Sequence, residues 1–175
     1  MDDWRCFLAV RIPPLPRLRS LLAELAAFGR PLRSVHEDDL HVTLKFLGPV
    51  PAERLPDITR AVEHELSPPA VSRIDLRGLG AFPRPQRPAV VWAESCERAC
   101  EPLGFARERR AFRPHVTLAR ITGRAPQGLL PWLETQGADH VGQTTIEAVE
   151  LLRSESGPGG ARYQTLWRYP LRVSS

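Results

Sequence analysis

A chain of 175 residues with 42% hydrophobic and 25% charged side chains is long enough to bury one core and has the balance of an ordinary globular domain, or of two small lobes sharing a core. The formal net charge is +4, and all but one of the 24 basic residues are arginine, Lys45 being the lysine; this excess fits an anionic partner or a bias of composition. Three cysteines, Cys6, Cys96 and Cys100, exclude a disulfide framework, no apolar run approaches the ~18 residues of a membrane span, and residues 1–12, with acids at Asp2 and Asp3, do not read as a secretory signal. The expected setting is a reducing cytoplasm with no membrane partner. Cys96 and Cys100 stand at i,i+4 without a nearby histidine, so free thiols are expected and no metal.

In chain order, residues 4–12 read as a buried strand stopped by Pro13 and Pro14. Residues 15–28 carry Leu18, Leu21, Leu22 and Leu25 at helical spacing, closed by Gly29 and Pro31. After a polar turn at 35–39, residues 40–47 alternate as a strand ending at Gly48-Pro49. A second helix is expected over 52–66, with Pro56 in its first turn, where proline does least harm. Strands follow over 71–82, with Gly78 and Gly80 marking a bend or bulge, and over 89–93. Residues 94–105 hold about two helical turns at most, limited by Pro102 and Gly104, and 106–113 form an arginine-rich connector. A strand over 114–121, a short helix over 129–135, a strand over 144–154 and a last strand over 162–173 complete the chain. Gly157-Pro158-Gly159-Gly160 joins the last two as a hairpin.

One phrase occurs twice, as His41-Val42-Thr43-Leu44 and as His115-Val116-Thr117-Leu118. Alternation in a strand sends Leu40, Val42, Leu44 and Phe46 to one face and His41, Thr43 and Lys45 to the other; in the second copy Val116 and Leu118 turn inward, His115 and Thr117 outward. Each copy therefore sets an imidazole beside a hydroxyl on the polar face of a half-buried strand. Brought together, the two pairs suit phosphodiester chemistry. One neutral imidazole takes a proton from attacking water and one protonated imidazole gives a proton to the leaving oxygen. The threonines donate to the oxygens that gather negative charge, and no metal is required. A lone histidine on a strand is usually a satisfied surface residue, and His36, His64 and His140 are read that way. The repetition of both His and Thr is what sets His41 and His115 apart.

These two phrases resemble the paired signatures of the 2H phosphoesterase superfamily, and within it the RNA 2′,3′-cyclic phosphodiesterases, also called 2′–5′ RNA ligases. The strings Leu40-His41-Val42-Thr43-Leu44-Lys45-Phe46-Leu47-Gly48, Gly78-Leu79-Gly80-Ala81-Phe82-Pro83, Val90-Val91-Trp92-Ala93 and Arg113-Pro114-His115-Val116-Thr117-Leu118-Ala119-Arg120 carry the narrower likeness. The resemblance implies one bilobal α+β domain over 1–175, with a mixed or antiparallel sheet per lobe, outer helices, and one motif strand per lobe facing a central cleft. It implies hydrolysis of an RNA terminal 2′,3′-cyclic phosphate to a 2′-phosphate, with reversible 2′–5′ ligation as a secondary activity; apart from the resemblance, a monomer without cofactor is expected. By position His41 is the proton donor, His115 the acceptor, and Thr43 and Thr117 hold the phosphate. Lys45 and Arg120 are further candidates for the substrate, although strict alternation points Arg120 away from His115 unless a bulge intervenes. Phe46 and Phe112 are candidates to stack on a base, Phe46 fitting a core role better. The chain departs from the family in residues 94–105, too short for the helix usual there. Competing expectations are a phosphodiesterase for 2′,5′-linked oligonucleotides or ADP-ribose 1″,2″-cyclic phosphate, and a non-catalytic RNA-binding module using the basic surface alone.

Overall fold

The structure, a computed structural model, describes residues 3–66, 72–95, 114–136, 140–157 and 160–171. Its elements are β1 (Asp3–Arg11), α1 (Pro16–Ala27), β2 (Leu32–Ser34), β3 (His41–Pro51), α2 (Leu55–Glu65), β4 (Ser72–Phe82), β5 (Val90–Ser95), β6 (His115–Ile121), α3 (Leu129–Gln136), β7 (His140–Ile146), β8 (Ala148–Gly157) and β9 (Gly160–Pro170). Short 3-10 turns at Glu37–Asp39 and Ala52–Arg54 precede β3 and α2.

The strands lie in the order β7-β4-β5-β6-β3-β1-β8-β9, with β2 added beside β6. Every described pairing is antiparallel, so the sheet has no mixed part among these residues. The two motif strands, β3 and β6, are neighbours at its centre rather than members of separate sheets. They meet at one ladder pair, Val42 opposite Val116. Beyond it the edge of β6 is taken by β2, which pairs Leu32, Arg33 and Ser34 with Ile121, Arg120 and Ala119. The halves on either side of this thin seam are not contiguous in sequence: β8 and β9, at the end of the chain, lie beside β1.

One face of the sheet carries the core. Leu18, Leu21, Leu22 and Leu25 of α1 point into it at helical spacing, joined by Val62 of α2 and by Leu129 and Leu133 of α3. Val42, Leu44, Val116 and Leu118 enter the same cluster from the motif strands. Burying each such aliphatic side chain is worth about 1.5–3 kcal/mol. The central run Cys6–Val10 of β1 is buried on both faces, which is why it reads as continuously apolar. Cys6, Leu8 and Val10 join the main core, while Phe7 and Ala9 pack on the other face with Leu152 and Tyr163.

Several boundaries differ from the sequence reading. The strand expected over 144–154 is two, β7 and β8, parted at Glu147, and His140 opens β7 instead of lying in a loop. The edge strand β2 is too short to show a period. β3 runs past Gly48-Pro49 to Pro51 because Gly48 takes a φ of 74°, at which Leu47 is left over in the pairing with β1 and the strand continues. The expected bend in β4 is a register shift between Arg77 and Leu79, where Gly78 has a φ of 64°. The hairpin between β8 and β9 is closed by Gly157 opposite Gly160. The expectations for 94–105, the arginines of 106–113, Phe112 and the thiols Cys96 and Cys100 lie wholly or largely outside the described residues.

Candidate active site

Each motif strand carries the same irregularity at the same letter. In the β1–β3 ladder Leu8 pairs with Lys45 and Ala9 with Thr43, leaving Leu44 without a partner. In the β5–β6 ladder Val91 pairs with Ala119 and Trp92 with Thr117, leaving Leu118 without one. A bulge admits one extra residue and inverts the alternation beyond it. The fourth residue of each phrase is thus the bulge, and the sixth returns to the face that holds the histidine and threonine. Those sixth residues are Phe46 and Arg120. Phe46 is 68% exposed, which overturns its assignment to the core, and Arg120 is exposed on the same side as His115.

The result is an open-faced cleft of about 530 Å³ lined by His41, Thr43, His115, Thr117, Phe46 and Arg120, with Phe7, Phe82 and Tyr163 as aromatic walls. Lys45 is not among its lining residues: the bulge at Leu44 gives its expected place to Phe46. Counting outward from Val42 and Val116, His41 comes opposite Thr117 and Thr43 opposite His115. The two histidines then stand on the diagonal of an antiparallel pair, a span of about 7–8 Å in a regular sheet. That leaves room for one phosphoryl group between the rings.

The two rings are held differently. His41 Nδ1 lies 2.6 Å from the Asp39 carbonyl oxygen. A carbonyl only accepts, so Nδ1 carries the hydrogen and Nε2 is the nitrogen left for a ligand. The ring stands edge-on to Tyr163 at 4.8 Å and tilted against Phe7 at 5.2 Å. The turn bearing Asp39 is tied down by Arg11, whose guanidinium donates to the Asp38 carbonyl at 2.6 Å, pairs with Asp39 at 3.7 Å and donates to Glu150 at 3.2 Å. Glu150, buried on β8, also accepts from Thr165 at 2.9 Å. A network spanning four parts of the chain therefore orients one imidazole. His115 is walled by Phe82, edge-on at 5.1 Å, and by Trp92 at 6.1 Å.

Burial pushes the His41 imidazole down to about 4, against the pull of its hydrogen bond to Asp39; the charges of Arg11, Arg120 and His115 add to the depression. That His115 and Arg120 both act on His41 is a mark of how closely the strands bring them together. A folded-state value below the ordinary 6.5 means that the unfolded chain binds the extra proton first. His41 therefore costs stability progressively as pH falls from about 6.5 towards 4. In a histidine-resolved NMR titration of the ligand-free protein, the His41 ring is expected to stay neutral down to about pH 4. A midpoint near 6.5 would contradict the packing described here.

The Trp92 wall depends on Gly80, its partner across β4 and β5. A Cβ at Gly80 would clash with the carbons of the Trp92 ring, so that ring or the backbone would have to shift. Gly80→Ala is expected to lower stability by about 1–3 kcal/mol through overpacking. It should also reduce turnover by tilting the indole that backs His115. Thermal unfolding and kinetics of the variant check both.

The remaining histidines have local duties. His36 Nδ1 accepts from the Asp38 amide at 3.4 Å and caps the 3-10 turn, while His140 pairs with Asp75 at 3.1 Å. His64 is exposed near the end of α2. Sequence reasoning missed Phe7, Tyr163, Arg11 and Glu150 as parts of the site. None of the four belongs to a repeated phrase, and all reach it through strand pairing from distant parts of the chain.

Among known proteins, the family profile described as LigT-like phosphoesterase matches residues 10–92 and 86–163. An RNA 2′,3′-cyclic phosphodiesterase of Aeropyrum pernix is 36% identical over 171 residues, covering 86% of this chain and 93% of its own. One of Thermus thermophilus is 35% identical over 191 residues, covering 96% and 90%. Among solved structures, a Thermus thermophilus protein superposes with a TM-score of 0.73 at 32% identity over 98% of this chain and 100% of its own. Escherichia coli LigT in its apo form gives 0.64 at 24% identity over 98% and 99%, a likeness of fold.

Proposed function

This chain belongs to the LigT-like phosphoesterase family, and is a hydrolase of that family; on that premise we propose that it opens the terminal 2′,3′-cyclic phosphate of RNA, or of a small cyclic nucleotide, to a 2′-phosphate. The single observation that carries this reading is the meeting of the two His-Thr pairs on one face at the Val42–Val116 seam. The names of the relatives, RNA 2′,3′-cyclic phosphodiesterases across most of the chain, supply the substrate class.

In the proposed reaction the anionic phosphate lies between the rings. His115 takes a proton from a water whose oxygen attacks phosphorus on the side away from the 3′ oxygen. The bond from phosphorus to the 3′ oxygen breaks, and His41 Nε2 gives that oxygen its proton, leaving the phosphate on the 2′ oxygen. Thr43, Thr117 and Arg120 donate to the non-bridging oxygens, where charge gathers. His41 is neutral in the empty cleft at pH 7, so it takes up its proton with the substrate. The phosphate's negative charge opposes the burial and the neighbouring cations that hold the ring at about 4. With a 5′-hydroxyl in place of water, the same displacement joins two chains by a 2′–5′ bond, the secondary activity we assign to this site. All of these groups belong to the protein. In this proposal residues 1–175 form one bilobal, monomeric unit with one motif strand per lobe, and the seam is the floor of the cleft.

The experiment is turnover of a nucleoside 2′,3′-cyclic phosphate by the purified protein in the presence of a chelator, with the product identified by phosphorus NMR. A nucleoside 2′-phosphate is expected. No turnover, a 3′-phosphate product, or activity that returns only with added metal would overturn the proposal.

A further inference from the structure

The cleft extends past the two His-Thr pairs along β1 and β3, and that end of it has no part in the reaction proposed above. It is lined there by Arg5, Phe46, Gly48, Ser154 and Ser156. Among the described residues no carboxylate lines the cleft. Arg5 is exposed, and among the described residues it makes no ion pair or side-chain hydrogen bond. An unpaired guanidinium at the end of a cleft without acids draws an anion to that end.

Strand register sets how far this end lies from the reacting phosphate. Val10 pairs with Val42 at the seam, Phe7 with Phe46, and Arg5 with Pro49. At about 3.3 Å per residue, Phe46 stands about 10 Å and Arg5 about 16 Å from the seam along β1. Arg120 lies the other way. β6 runs antiparallel to β3, so the residues after Val116 leave the seam in the direction opposite to those after Val42. Arg5 and Arg120 therefore stand at opposite ends of the cleft, with the phosphoryl position between them, and one phosphate does not reach both.

Phe46 fills the interval. It is the sole large hydrophobic side chain exposed among the described residues. The bulge at Leu44 turns it into the cleft, and Phe7 braces its ring at 5.9 Å. An exposed ring face suits a nucleobase, and stacking tolerates any base. A nucleotide ending in a 2′,3′-cyclic phosphate continues into a chain only through its 5′ oxygen. The next phosphate is then the one on its 5′ side, and Arg5 is the unassigned cation beyond the base.

We propose that Arg5 binds the phosphodiester on the 5′ side of the terminal nucleotide, whose base lies on Phe46, so that the cleft seats the end of an RNA chain more tightly than a free cyclic nucleotide. Arginine's long stem lets its head reach back along the strand to that phosphate. This rests on the catalytic reading given above and goes beyond it by assigning a second phosphate site and a polarity, running from the seam along β3 towards Gly48.

The test compares wild type with Arg5→Gln, a change at an exposed side chain. The probes are a dinucleotide ending in a 2′-phosphate and a nucleoside 2′-phosphate, measured by calorimetry over a range of salt. Wild type is expected to bind the dinucleotide more tightly. Arg5→Gln should cut the ratio of the two affinities by about tenfold, the worth of one charged hydrogen bond. The slope of log affinity against log salt for the dinucleotide should shrink by about 0.7, the share of one single-strand phosphate contact. Phe46→Ala should weaken both probes by about tenfold and leave the slope alone, the mark of a lost stacking surface. Arg60→Gln, on α2, should change neither. Equal affinity of wild type for the two probes, an unchanged ratio and slope in Arg5→Gln, or full affinity in Phe46→Ala would overturn the inference. Failure of the catalytic reading looks different: neither the mono- nor the dinucleotide cyclic phosphate is turned over, while the Arg5-dependent loss of binding persists and upholds this end of the cleft as a seat for an RNA end.

Discussion

Replacing His115 is expected to lower kcat/KM on a 2′,3′-cyclic phosphate by about 10²–10⁴-fold, the usual worth of a positioned general base or acid. His41→Ala is expected to cost as much, and the double variant little more than the worse single one, because two groups that move protons in one displacement act as a unit. His115 lies on the exposed side of its strand beside Phe82 and Trp92, and its loss leaves the aliphatic core untouched. The His41 ring fills a gap between Phe7 and Tyr163, so alanine there also leaves a hole; His41→Asn, which keeps more of the volume, separates chemistry from folding. Circular dichroism and thermal unfolding check that each variant is folded. His64→Ala is the control and should keep full activity. A His41 or His115 variant that is folded and turns over near the wild-type rate would remove the acid–base pair from the reaction.

The second large effect separates the two roles. A bell-shaped pH–rate curve cannot do so, since either assignment of acid and base gives the same bell. The leaving atom can. A substrate with sulfur in place of the 3′ bridging oxygen expels a thiolate, which needs no proton. If His41 protonates the leaving oxygen, His41→Asn should lose its 10²–10⁴-fold on the oxygen substrate, and most of that loss should vanish on the sulfur one. His115→Ala should be equally impaired on both, because water must be deprotonated in either case. The reverse pattern would exchange the roles. The exchange has a physical argument of its own: in the empty cleft His41 is held neutral down to about pH 4, with Nδ1–H fixed on Asp39, the state of a ready base. Assignment of His41 as the acid thus requires the bound phosphate to raise its affinity for a proton. The sulfur substrate tests that requirement through the chemistry itself.

The repeated phrase makes both motif strands, their polar faces and the pairing of imidazole with hydroxyl legible in the sequence, because a period of two is a local property of the backbone. The helix of residues 16–27 and its leucine face were legible for the same reason. What the period could not show was its own interruption. Leu44 and Leu118 are ordinary inward residues by alternation, and only their neighbours, β1 and β5, reveal them as bulges. Hence strict alternation puts Lys45 in the cleft where Phe46 stands, and Arg120, a candidate for the substrate only if a bulge intervenes, reaches that side through the bulge at Leu118. A comparison of the two copies held the missing hint: each phrase is followed two residues later by a large side chain able to meet a nucleotide, Phe46 in one copy and Arg120 in the other. The network of Arg11, Asp39 and Glu150 and the wall at Tyr163 had no local signature, since they are assembled by register between strands far apart in the chain. The single continuous sheet, with the last hairpin beside the first strand, belongs to the same class of long-range fact.

Whether two imidazoles share one phosphoryl group is tested most directly by a crystal structure with a bound nucleoside 2′-phosphate. The expected result is a phosphate on the β3–β6 seam with His41 Nε2 and a ring nitrogen of His115 each within about 3 Å of its oxygens, and the Thr43 and Thr117 hydroxyls donating alongside. A phosphate bound by one histidine alone, or seated away from the seam, would contradict it.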